Sequence, residues 1–214
     1  MAPRTLDPHA GGPVLHSGRA VAAARLVVIL VHGRGGSAAD ILQISEQLHT
    51  NDVAYLAPQA AEHSWYPHSF LAPLEQNEPG LSSALTVVSS LLDMLATQSV
   101  SRERVMLLGF SQGACLSLEY AARHAGRYAA VVGLSGGVIG PEGTPREYSG
   151  SMNGTPVLLG CSDIDPHIPV ARVHESAKVF EALGATVDER IYPRMGHTIN
   201  QDELDAVAAL LRRP

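Results

Sequence analysis

Three short segments of this 214-residue chain hold the residue types that nucleophilic attack on a carbonyl carbon requires. Ser111 is the centre of Gly109-Phe-Ser-Gln-Gly113. Asp163 and Asp165 lie in Cys161-Ser-Asp-Ile-Asp-Pro-His-Ile-Pro169, and His197 lies in Met195-Gly-His-Thr198. A serine hydroxyl is a weak nucleophile at neutral pH unless a neighbouring base takes its proton, and imidazole titrates in the range where it can do so. A carboxylate behind the imidazole fixes its tautomer and stabilises the imidazolium that forms. Asp165 precedes Pro166 and opens a stiff Asp-Pro-x-Ile-Pro loop, which favours it as the orienting acid. Asp163 is the alternative; it could equally cap the loop or the following helix.

The glycines around Ser111 fit a tight strand-to-helix turn that lifts the hydroxyl clear of a sheet. Side chains two positions to either side would collide with adjacent backbone. The tetrahedral oxyanion also needs two backbone N–H donors. Gln112 supplies one, directly after the serine. The glycine-rich His32-Gly-Arg-Gly-Gly36 supplies the other at Arg34, whose side chain is left free for an anionic substrate group or an ion pair. Trp65, Tyr66 and Phe70 gather in a loop where they either wall an acyl or aromatic pocket or fasten the loop to the sheet. His63 and His68 have no Cys or carboxylate at ligand spacing, so neither a metal nor another cofactor is expected.

These residues need a frame, and the hydrophobic pattern describes one. Leu26–Val31 is a continuous apolar, β-branched run, as in a strand buried on both faces. Further strands are predicted at Val53–Ala57, Val105–Gly109, Ala129–Leu134, Pro156–Gly160 and Thr186–Tyr192. Helices are predicted after the Ser37 N-cap and over Leu81–Gln98, Gln112–His124, Val170–Leu183 and Asp202–Leu211, with Gly184 as a C′ residue. Such alternation specifies an α/β fold, a mostly parallel doubly wound sheet with helices on both faces, and its catalytic loops gather at the strand C-terminal ends. The two long connections, Pro58–Gly80 and Ser135–Thr155, are too short for a separate lid domain. Residues 1–214 therefore read as one domain with an open, shallow site.

Composition narrows the partners. Apolar residues make up 45%, charged residues 17%, and the formal charge is −6 with no basic run. That excludes nucleic acid and anionic membrane as principal partners. The longest apolar run, Leu26–Val31, is too short for a membrane span, and Met1–Gly12 lacks the apolar stretch of a signal peptide. Cys115 and Cys161 sit in apolar surroundings and make no disulfide framework, which fits a reducing cytoplasm.

From about Val27 to the last helix, the chain resembles the phospholipase/carboxylesterase family, which includes acyl-protein thioesterases and small bacterial carboxylesterases. The resemblance rests on HGRGG at His32–Gly36, APQA at Ala57–Ala60, GFSQGA at Gly109–Ala114, DPHIP at Asp165–Pro169, and Gly196-His197. It implies a lidless α/β-hydrolase fold, the triad Ser111, Asp165 and His197, and oxyanion donors at Arg34 and Gln112. It also implies a small-molecule ester substrate and the homodimer common among such relatives. The Glu62–Pro79 loop departs from the eukaryotic thioesterases and is closer to bacterial members of unassigned substrate. Cleavage of short- to medium-chain carboxylic esters or thioesters through an acyl-enzyme is the expectation. Lactone or C–C bond hydrolysis on the same triad, and a catalytically silent binding scaffold, stand beside it as alternatives.

Overall fold

A computed structural model describes residues 7–213. Residues 1–6, part of the N-terminal stretch read above, and residue 214 lie outside the described residues. The elements run β1 (Val14–Gly18), β2 (Leu26–Val31), α1 (Ala38–Gln47), β3 (Val53–Pro58), α2 (Gly80–Thr97), β4 (Val105–Phe110), α3 (Gln112–Arg123), β5 (Ala130–Leu134), β6 (Pro156–Ser162), α4 (Val170–Ala182), β7 (Thr186–Tyr192) and α5 (Gln201–Leu211). The seven strands form one sheet in the order β1-β3-β2-β4-β5-β6-β7. All neighbours are parallel except β1, which pairs antiparallel with β3 at the edge.

The apolar run of β2 is explained by helices on both of its faces. Val27, Ile29 and Val31 join the core beneath α2, α3 and α4, while Leu26, Val28 and Leu30 join the one beneath α1 and α5. Ser37 caps α1, its Oγ accepting the Asp40 N–H at 3.2 Å. Gly184 ends α4 with φ +76°, the left-handed C′ geometry that glycine reaches without strain. One helix, α2, has the length and apolarity of a membrane span. Its apolar face, including Leu81, Ala84, Val88, Leu91, Leu92 and Leu95, is buried in the core against the sheet.

Chain order reverses at β2. From there the chain moves to β3 on one side and later to β4 on the other. Loops leaving the C-terminal ends of β2 and β4 therefore face one another across the crevice where ligands of such sheets bind. The loop after β6 carries the two aspartates and the loop after β7 carries His197. The crossover from β5 to β6 carries no α-helix, and among the described residues no helical lid covers the sheet end.

Candidate active site

The elbow follows from what its backbone cannot accommodate. Ser111 links β4 to α3 with φ 56° and ψ −120°, a conformation that costs a non-glycine residue about 1–3 kcal/mol. A Cβ on Gly109 would overlap the Gly113 carbonyl, and one on Gly113 would overlap the Val31 carbonyl. Only glycine lets α3 start this close to β4 and β2. The helix thus points its unpaired N–H groups at the serine, where they favour developing negative charge.

His197 meets this serine from the loop after β7. Its Nε2 lies 2.8 Å from Ser111 Oγ and its Nδ1 lies 2.7 Å from Asp165 Oδ2. The Asp165 side chain is fully covered, whereas that of His197 is 18% exposed. Asp165 Oδ1 also accepts the His167 and Ile168 N–H groups at 2.8 and 3.0 Å. Burial pushes the Asp165 carboxyl upward, but the hydrogen bonds from His197, His167 and Ile168 outweigh it and hold the pKa below the usual value. An ionised Asp165 fixes the proton of neutral His197 on Nδ1 and leaves Nε2 to accept from Ser111. Phe110 and His167 flank the imidazole, with ring centroids 5.0 and 4.8 Å away. Asp163 acts elsewhere. Its Oδ1 accepts the Arg194 N–H at 2.7 Å, anchoring the histidine loop. Ser162 Oγ adds an anchor by accepting the Gly196 N–H at 3.1 Å.

Arg34 and Gln112 line the same cleft as Ser111. The Arg34 N–H donates to no carbonyl among the described residues, and Gln112 begins α3, with no helical carbonyl behind it. Both amides have the freedom an oxyanion donor needs. The loop comes close because Gly33 has no side chain; a Cβ there would stand 3.2 Å from Ser111 Cβ.

The side chain of Arg34 forms no ion pair among the described residues. Its Nη1 donates to Ser64 Oγ and the Pro67 carbonyl, both at 2.9 Å, and its Nη2 donates to the His68 carbonyl at 2.6 Å. The guanidinium is thus a staple between the loop after β2 and the aromatic loop. Gln112 makes a second staple that sequence reasoning missed. Its Oε1 accepts the Trp65 N–H at 2.9 Å and its Nε2 donates to the Tyr66 carbonyl at 2.8 Å. A glutamine matches such a donor–acceptor pair, but nothing in the sequence identifies its partners.

The aromatic trio divides. Tyr66 and Phe70 line a cleft of about 390 Å³ together with Ser111, Cys115, Ile168 and His197. Trp65 does not. It is fully buried, donates from Nε1 to the His32 carbonyl at 2.9 Å, and packs against the rings of both His9 and His32. Its expected contact with substrate is therefore corrected to a core role: the indole fastens the loop while its neighbour faces the cleft.

Two further polar groupings support the site. His32 Nε2 accepts the Ala60 N–H at 3.1 Å, so its Nδ1 carries the proton given to the Gly33 carbonyl at 2.8 Å. Asn200 and Glu203 form a capping box at the start of α5, just after the histidine loop. The Asn-x-x-Glu spacing is the sequence signal that would have revealed this box. Among the described residues, no cluster of three or more His, Cys, Asp or Glu is arranged to hold a metal ion.

Comparison with known proteins gives a consistent picture. A family model described as Phospholipase/Carboxylesterase matches residues 16–213. A phospholipase/carboxylesterase crystal structure from Dyadobacter fermentans is 40% identical, with 97% of this chain and 100% of that chain covered and a TM-score of 0.92. Acyl-protein thioesterase 1 of Gibberella zeae is 26% identical, covering 87% of this chain and 89% of the relative. The protein of the same name from Saccharomyces cerevisiae is also 26% identical, covering 89% of this chain and 93% of the relative.

Proposed function

This chain belongs to the phospholipase/carboxylesterase family, and from that premise we propose that it hydrolyses short- to medium-chain carboxylic esters, and thioesters, through an acyl-enzyme on Ser111. The observation that carries the reading is the unbroken line from Ser111 Oγ to His197 Nε2 at 2.8 Å and from His197 Nδ1 to Asp165 Oδ2 at 2.7 Å. His197 takes the Ser111 proton as Oγ attacks the carbonyl carbon. The Arg34 and Gln112 N–H groups receive the oxyanion. As the tetrahedral intermediate collapses, the imidazolium gives its proton to the leaving alcohol or thiol. Water then attacks the acyl-serine with His197 again as base, releasing the acid and restoring Ser111.

Thioesters enter the reading because two relatives are named acyl-protein thioesterases. The open cleft of about 390 Å³ favours small or exposed acyl groups over long buried chains. Two buried free cysteines, Cys115 and Cys161, support the cytoplasmic reading, and the continuous seven-stranded sheet supports treating the chain as one domain.

Hydrolysis of p-nitrophenyl esters from acetate to palmitate, compared with Ser111→Ala, tests the proposal. The substitution should cost on the order of a thousandfold or more in kcat, and a fluorophosphonate should label Ser111 alone. Turnover that survives Ser111→Ala, or an adduct on another residue, would overturn it.

A further inference from the structure

The rim of the cleft differs from its floor. Tyr66, Phe70, Cys115 and Ile168 line it and are each at most 6% exposed, whereas Arg34, Ser69 and His167 line it while open to solvent. The chain as a whole is acidic, with a formal charge of −6, yet among the described residues no Asp or Glu lines the cleft. The carboxylate of the triad, Asp165, is fully covered and given to His197. A cleft lined by one sign of charge focuses its field on whatever enters. Here the fixed charge is that of Arg34.

The Arg34 guanidinium is held in place without being neutralised. Three of its five N–H groups go to neutral oxygens of the aromatic loop, Ser64 Oγ and the Pro67 and His68 carbonyls. Its Cζ stands 5.9 Å from the centre of the Tyr66 ring, whose residue walls the cleft. The Nε–H and one N–H of Nη2 have no acceptor among the described residues, and no carboxylate of these residues comes within ion-pair distance. A loop staple needs only the three occupied donors. The other two are donors of the kind with which arginine takes a carboxylate. The side-chain ordering that such a contact costs is already met by the three fixed bonds.

We infer that Arg34 is a specificity residue, and that the ester taken into this cleft carries a carboxylate, away from the scissile bond, that pairs with its guanidinium. Half-esters of dicarboxylic acids, or esters of carboxylated alcohols, are then preferred to their neutral counterparts. This rests on the ester-hydrolase reading above. The one residue acts twice, its backbone N–H toward the oxyanion and its side chain toward a charge several bonds from the reacting carbon.

Two ester series test the inference and locate the carboxylate. On the acyl side, the p-nitrophenyl half-esters of adipic and suberic acid are compared with the matching terminal carboxamides. On the leaving-group side, meta-carboxyphenyl butyrate is compared with meta-carbamoylphenyl butyrate. Each kcat/KM is divided by the rate constant for hydroxide. In one series the carboxylate should be favoured by about fivefold to thirtyfold, between the worth of an exposed ion pair and that of a charge-assisted hydrogen bond. Because Arg34 is exposed, the preference should shrink as ionic strength rises from about 0.01 M to about 1 M. Arg34→Gln should bring the ratio to one or below, whereas losing the loop staple alone would slow both members of a pair equally. A parent that turns over both series without preferring the carboxylate overturns this inference alone, and that result needs no variant. A preference that survives in Arg34→Gln also overturns it. If no ester turns over, plain alkyl esters included, the ester reading falls and this inference falls with it.

Discussion

Asp163 and Asp165 stand two residues apart in one loop, yet one holds the backbone of the histidine loop and the other the histidine ring. Asp163 accepts the Arg194 N–H at 2.7 Å and fixes where the histidine loop lies, while Asp165 accepts His197 Nδ1 at 2.7 Å and fixes how the ring is turned. Their substitutions should separate these roles. Asp165→Asn should lower kcat by about ten-thousandfold, because an amide that donates to Nδ1 forces the wrong tautomer. Asp163→Ala loses one exposed hydrogen bond, worth about 1 kcal/mol, and should keep kcat within about tenfold of the parent. Equal losses for the two variants would remove the distinction.

The double staple from Gln112 gives a second expectation. Gln112→Ala keeps the backbone N–H proposed for the oxyanion but leaves the Trp65 N–H unpaired inside the protein and the Tyr66 carbonyl with Ser64 Oγ as its remaining donor. The aromatic loop then loses its registration with the elbow. Steady-state kinetics on a medium-chain ester should show KM rising by more than kcat falls. A loss confined to kcat would mean that the side chain acts on the chemical step itself.

What the sequence made legible, and what it did not, follows the physics of each signal. The buried parallel strands were readable because both faces need apolar residues; β1 was not. Its five residues include a half-exposed Leu15 and a polar His16 and Ser17, and pairing with β3 on one edge alone leaves no hydrophobic pattern. Ser111 and His197 were readable because glycine spacing and chain order constrain them jointly. The Arg34 side chain was not, because its three acceptors belong to a loop 30–34 residues away whose path no local pattern encodes. Trp65 and Tyr66 are adjacent in sequence and equally aromatic. Only the tertiary path of the loop decides that one turns to the core and the other to the cleft.

His32 predicts an acid-side dependence of stability. Burial lowers its pKa, chiefly by desolvation, and its Nε2 must stay unprotonated to accept the Ala60 N–H. The unfolded chain takes up the proton near pH 6.5 whereas the folded chain resists it. The contribution is therefore complete above that pH and lost as pH falls toward the folded value. Urea midpoints measured between pH 7.5 and pH 5 should decline more steeply for the parent than for His32→Gln. Parallel curves would show that His32 does not hold this proton balance.

Glu203 predicts the opposite sign. One of its carboxyl oxygens accepts the Asn200 N–H at 2.8 Å, while the other is buried without a partner. The latter packs where glycine at 160 leaves room for it; a Cβ there would overlap Glu203 Oε1. Burial raises the pKa to about 7, with the Asn200 N–H pulling it down, Asp202 beside it pushing it up and Arg190 pulling it down again. Between about pH 4.5 and 7 the folded chain keeps a proton that the unfolded chain has released, so stability must fall as pH rises through that window. Over the full shift the loss is about 3 kcal/mol. Glu203→Gln has the shape of the protonated side chain and no proton to lose. Relative to the parent it should gain stability from pH 5 to pH 8 by an amount of that order. The comparison cancels every other titrating group the two proteins share, His32 included. A stability difference that stays constant from pH 5 to pH 8 would show that Glu203 is ionised in the folded protein throughout, with its second oxygen satisfied by water.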